Sequence, residues 1–97
     1  MIEGFGDRAT KDLFLARITK DSRSVPQQLH DIIRRKLNMI DAAVGVVDLQ
    51  TPPGNRLEKL TGDREGLWSI RVNDQFRITF RFEGGNAMHV TLSLIHI

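Results

Sequence analysis

Arg71, Arg77 and Arg81 stand in a stretch where apolar residues recur at every second position. Trp68, Ile70 and Val72 alternate with Leu67, Ser69 and Arg71, and Phe76, Ile78, Phe80 and Phe82 alternate with Arg77, Thr79 and Arg81. Alternation of this kind marks half-buried strands, with one face on a core and the other open. A one-residue slip would turn the whole apolar set outward. Val72 must therefore face Phe76, Ile70 face Ile78 and Trp68 face Phe80, around an odd-length loop at residues 73–75. That register sets Arg71 directly opposite Arg77 and Ser69 opposite Thr79; carried into the next hairpin, it brings His89 near Arg81. Like charges directly opposite each other in a sheet cost roughly 0.2–1 kcal/mol. Two arrangements relieve this. Either the arginines splay into solvent or pair with Glu58, Glu83 or Asp74, or the face takes an anion. Guanidinium groups bind phosphate in a bidentate fork, so the second arrangement is a concave phosphate-binding surface on a rigid apolar layer.

The rest of the chain must hold those strands. A third alternating run, Met88, Val90, Leu92 and Leu94 against His89, Thr91, Ser93 and Ile95, follows a turn at Glu83-Gly84-Gly85-Asn86. A shorter strand is expected within residues 57–61, and another within residues 2–5. Asp7 is placed to cap a helix running to about Arg17, with Leu13 and Phe14 as its main apolar residues. Residues 20–24 read as a polar connection. Ser24 is placed to cap a second helix, with Pro26 in its first turn and an end near Ala43. Leu29, Ile32, Ile33, Leu37 and Ile40 recur at helical spacing, with Arg34, Arg35, Asn38 and Asp41 largely opposite. His30 reads as a surface residue near the start of this helix. Thr51-Pro52-Pro53-Gly54-Asn55 breaks regular structure. The expected fold is α+β, with two N-terminal helices packed on a small, curved, mainly antiparallel sheet.

Composition narrows the class. With 97 residues the chain is expected to be one domain, and 40% hydrophobic residues suffice for a folded core. The absence of cysteine excludes disulfides and thiolate zinc sites. No apolar run approaches the roughly 18 residues of a membrane span, and the first eight residues carry no signal-peptide pattern. A soluble, cytoplasmic protein is expected. The formal charge is +2, and ten of the fourteen basic residues are arginine. The question is whether those arginines share a face.

The stretch 52–82 is more specific than any of these features. It contains Pro-Pro-Gly-Asn-Arg-Leu-Glu at 52–58, Gly-Asp-Arg-x-Gly at 62–66, and Ser-Ile-Arg-Val-Asn-Asp-Gln-(aromatic)-Arg-Ile at 69–78. This run closely resembles the HigB family of toxins, also called plasmid maintenance killer proteins, within the RelE/ParE-like toxin superfamily. A looser resemblance runs from residue 1 to about residue 86. It implies a RelE-like domain over residues 1–97 and a bacterial type II toxin that cleaves mRNA in the A site of the 70S ribosome. It implies transesterification without metal or other cofactor, and a helix-turn-helix, HigA-like antitoxin as partner. Rival roles within the superfamily are a ParE-like toxin that poisons DNA gyrase by protein contact, and a non-catalytic relative that only engages antitoxin or ribosome.

The resemblance also distributes roles. Arg77 matches the family arginine of the strand after Asn-Asp-Gln and is assigned to the scissile phosphate. Arg71, opposite it, is a second phosphate contact. Arg56 and Arg64 are expected on the rRNA or mRNA backbone, and Arg81 and His89 on RNA. Glu58 lies where some relatives carry a catalytic histidine. It is either the general base for the 2′-hydroxyl or the ion-pair partner of Arg71 or Arg77, and an arginine partner would weaken it as a base. His96 falls in register with the last residue of the family ending Asp-Tyr-His. Leu94 and Ile95 replace the other two, and Ile97 follows. The resemblance therefore implies a weakened acid–base apparatus at this end, with His96 the one proton-transfer group retained.

Overall fold

Asp7 starts the first helix as expected: α1 (Arg8–Phe14) begins where its Oδ1 accepts from the Thr10 amide at 2.9 Å. The helix ends before Arg17 because Ala16 takes left-handed backbone, φ 57°. The Ala16 amide then donates to the Leu13 carbonyl at 3.3 Å and the Arg17 amide to that of Asp12 at 2.8 Å. This is a Schellman termination with alanine in the place usually held by glycine. Residues 20–24 are not a plain connection. Thr19 and Ser22 cap each other's backbone amides at 2.8 and 3.1 Å and start a one-turn helix, α2 (Lys20–Arg23). Ser24 closes that turn, donating to the Asp21 carbonyl at 2.6 Å, and does not cap the next helix. α3 (His30–Ala42) instead grows from a 3-10 turn, Gln27–Leu29, behind Pro26. His30 is half-buried, its Nε2 bonded to the Val25 carbonyl at 2.9 Å. There are thus three α-helices among the described residues, not two. The computed structural model describes residues 1–62 and 66–94. None of its helices is long and apolar enough to cross a membrane.

The sheet has four antiparallel strands in chain order: β1 (Glu58–Lys59), β2 (Trp68–Arg71), β3 (Phe76–Glu83) and β4 (Asn86–Leu94). The register is the one the apolar pattern demands. Trp68 pairs with Phe80, Ser69 with Thr79, Ile70 with Ile78 and Arg71 with Arg77. The loop between β2 and β3 is an Asx turn, with Asn73 Oδ1 accepting from the Gln75 and Phe76 amides, both at 2.8 Å. The β3–β4 hairpin turns on Gly84 and Gly85, at φ 57° and 81°, between the paired Glu83 and Asn86. Two consecutive positive φ values make the tight turn that fits strand twist, and glycine takes them at no steric cost.

The alternation expected for β4 breaks at its middle. His89 has φ 54°, and the register shifts between Thr79 and Arg81, so a β-bulge sits there. Met88, expected on the apolar face, pairs with Arg81, and the fully buried Ala87 takes the core position. A bulge bends its strand and deepens the local twist. The segment 2–5 is not a full strand. It touches β4 through two parallel bridges, Ile2 to Ala87 and Phe5 to Val90, and the Ile2 amide donates to Asp41 Oδ1 of α3 at 2.8 Å.

The core lies between α1, α3 and one face of the sheet. Leu13, Ile33, Leu37, Ile40, Leu49, Ile70, Ile78, Phe80 and Val90 are buried there. Leu29 and Ile32 pack at its margin. Thr10, also fully buried, accepts from the Leu92 amide at 2.9 Å and locks α1 to β4. The Pro-Pro-Gly loop is held from inside. Asn55, at the end of the 3-10 turn Pro53–Asn55, is fully buried. Its Nδ2 donates to the Leu49 carbonyl at 3.2 Å, and its Oδ1 accepts from Lys36 Nζ. Burial, and secondarily Arg35, holds the Lys36 ammonium below the ordinary lysine range. Asn55→Ala should leave a buried carbonyl and ammonium without partners and cost about 2–3 kcal/mol, read as a lower denaturation midpoint. A loss under about 0.5 kcal/mol, that of an ordinary surface change, would show that the loop is held by other contacts.

Candidate functional site

Arg71 and Arg77 face each other at the mouth of the β2–β3 hairpin, on the side of the sheet away from the core. They line an open groove of about 480 Å³ with Arg56 and Asp74. Each element delivers its residue for a local reason. The Asx turn fixes Asp74 three residues beyond Arg71. Arg56 follows the Asn55 anchor directly and takes left-handed backbone, φ 46°, so the chain reverses there and enters β1 with Glu58 beside the groove. Glu58 pairs in register with Ser69, and Ser69 with Thr79. A polar row thus crosses the sheet next to the two arginines.

Of the two arrangements considered for the arginine pair, the structure shows the pairing with carboxylates. Arg77 Nη1 bonds Glu58 Oε2 and also donates to Ser69 Oγ at 3.2 Å. Arg71 Nη2 bonds Asp74 Oδ1, and its Nε donates to the Asn73 carbonyl at 3.2 Å. The arginines therefore turn their guanidinium groups apart, each toward its own carboxylate. Those carboxylates are accessible, with the Glu58 side chain 55% and the Asp74 side chain 90% exposed. Ion pairs as exposed as these contribute at most about 1 kcal/mol, so a polyanion can displace them. One donor is left over: Arg77 Nε is buried and has no acceptor among the described residues.

The other expected residues divide. Arg81 is exposed further along β3, its guanidinium 3.8 Å from where a Cβ on Gly66 would stand, and it does not line the groove. His89 is exposed in the bulge; Met88 is the residue that pairs with Arg81, and His89 follows it directly in the chain. Arg64 and His96 lie outside the described residues. Two contributors went unnoticed in the sequence. Asn55 anchors the loop from below, signalled only by an asparagine within a Pro-Gly turn. Ser69 is fully buried beneath Arg77, signalled only by a small polar residue at the centre of an otherwise bulky strand.

The groove can take a singly or doubly charged oxyanion against two guanidinium groups, with a carboxylate at its edge to accept a proton. Comparison with known proteins places the chain in a family. A family model described as "RelE-like toxin of type II toxin-antitoxin system HigB" matches residues 5–94. Toxin HigB-1 of Vibrio cholerae serotype O1 is 40% identical over 85 residues, covering 84% of this chain and 90% of the relative. Endoribonuclease HigB of Proteus vulgaris is 40% identical over 87 residues, covering 90% of each chain. A match over this length and at this identity fixes membership, and the chain belongs to the HigB family of RelE-like toxins of type II toxin–antitoxin systems, which implies an antitoxin as its partner.

Proposed function

We propose that this chain is a ribosome-dependent endoribonuclease that stops translation by cutting mRNA. The observation that carries the reading is the Arg71–Arg77 pair, held face to face on an open groove and balanced, among the described residues, by displaceable carboxylates. The Proteus relative named an endoribonuclease supports it. The reaction is an internal transesterification. The ribose 2′-oxygen forms a bond to the adjacent phosphorus, the bond to the 5′-oxygen breaks, and a cyclic phosphate and a 5′-hydroxyl result. The nucleophile belongs to the substrate and guanidinium groups can carry the developing charge, so the scheme needs no metal. Arg77 faces the phosphate and stabilises that charge, with Arg71 as second contact. Glu58, once released from Arg77, takes the proton of the 2′-hydroxyl. His96 is the candidate to protonate the leaving 5′-oxygen.

Arg56 extends the basic lining toward the RNA backbone, and Arg64, Arg81 and His89 remain candidates for more distant contacts. The site of action would be the bacterial cytoplasm, where translating ribosomes are. The antitoxin would be a helix-turn-helix protein of the HigA type, encoded beside the toxin. Primer extension on mRNA from cells expressing the chain, with and without that neighbouring gene, tests the reading. Cuts within translated codons that the antitoxin suppresses are expected; intact mRNA with trapped broken DNA would instead assign a gyrase poison.

Two further outcomes follow. Arg77→Ala should lower the cleavage rate roughly 10²–10³-fold with the fold retained, at a stability cost of about 1–3 kcal/mol because the buried Ser69 hydroxyl loses its partner. Cleavage at the parental rate would remove Arg77 from the chemistry. Co-sedimentation with ribosomes should weaken steeply as salt rises, since phosphate contacts act through counterion release. Binding unchanged between low and high salt would contradict an arginine-borne interface.

A further inference from the structure

Ser69 has no part in the scheme above, yet its setting on the open face of the sheet is that of a buried group. It stands in the middle of the polar row, between Glu58 on β1 and Thr79 on β3, and none of its surface reaches solvent. A buried hydroxyl persists where it has a hydrogen-bond partner. The partner here is Arg77, whose Nη1 donates to Ser69 Oγ at 3.2 Å. No other hydrogen bond to this hydroxyl occurs among the described residues. A β-branched residue would suit the strand better, so the contact to Arg77 gives serine its reason to be there.

The same nitrogen of Arg77 has two acceptors of different kinds. Glu58 is charged, half-exposed and carried on a two-residue edge strand. Ser69 is neutral, buried and fixed in the central part of the sheet. An incoming phosphate competes with the first and cannot reach the second. The present orientation also leaves Arg77 Nε buried without an acceptor among the described residues, so it does not satisfy the whole guanidinium. A reorientation that keeps the Ser69 contact gives up the Glu58 bond.

We propose that Ser69 is the positioning residue for Arg77: the buried hydroxyl is the fixed point on which the guanidinium turns from Glu58 to the scissile phosphate. The proposal rests on the endoribonuclease reading. Ser69 touches no substrate in this scheme; it narrows the positions Arg77 can take, which matters because small misplacements of a charge-stabilising group cost rate.

The test uses Ser69→Ala in the full chain, with thermal melting to confirm the fold. Ribosome-dependent cleavage should fall about tenfold in kcat with KM nearly unchanged, as expected for a misplaced transition-state contact. Independently of any cleavage, the Arg77 Nε–Hε signal in a 15N spectrum of the free toxin should be a slowly exchanging resonance. It should shift when inorganic phosphate is added. In Ser69→Ala it should broaden and exchange faster. An unchanged Arg77 signal in the variant, or an unchanged kcat with the parent active, overturns the positioning role while leaving the nuclease reading standing. A parent that cleaves no mRNA under any condition sinks the nuclease reading, and the role proposed for Ser69 in that reaction with it. The spectrum then still decides whether Ser69 holds Arg77.

Discussion

The site depends on one electrostatic constraint, two arginines forced face to face by apolar residues that cannot be moved. Ile70 and Ile78 are fully buried and paired across β2 and β3. Burying such side chains is worth about 1.5–3 kcal/mol each, more than the repulsion of two partly solvated guanidinium groups on the other face. The core therefore fixes the register, and the register fixes the Arg71–Arg77 pair. Glu58 and Asp74 moderate the repulsion without abolishing it, because both remain accessible to solvent and to a competing anion.

The surrounding fold keeps this pair in place. The helices cover the apolar face, and Thr10 ties α1 to β4. The bulge at His89 bends β4. Asn55 and Lys36 hold the Pro-Pro-Gly loop against α3, so that Arg56 and Glu58 arrive at the groove from a fixed direction. The buried polar groups thus sit under the loops that carry the chemistry. An apolar substitute there would fill the space without fixing the backbone.

Strand pairing was legible in the sequence because period-2 burial leaves one choice of register: Val72, Ile70 and Trp68 could face only Phe76, Ile78 and Phe80. The cross-strand arginines followed from it; of the three carboxylates offered as their partners, Glu58 and Asp74 pair with them and Glu83, at the far end of β3, does not. Less legible were features set by single backbone angles. The left-handed Ala16 and His89 stand where no glycine marks the turn, so the end of α1 and the bulge of β4 were missed. The bulge also makes Met88, not a residue of the open face, the partner of Arg81. Ser24 looked like a helix cap because the reciprocal capping of Thr19 and Ser22 nearby absorbs residues that read as loop. Ser69 and Asn55 escaped because burial of a small polar side chain leaves no periodic trace.

A crystal structure of the toxin with a short RNA carrying a 2′-deoxy sugar at the cleavage position decides whether the arginine pair is a phosphate site whose carboxylates are placeholders. Such an RNA keeps the phosphate and lacks the nucleophile. A phosphate oxygen is expected within hydrogen-bond reach of both Arg71 and Arg77, with Glu58 and Asp74 turned away from them. RNA bound elsewhere on the surface, with both ion pairs intact, would contradict it.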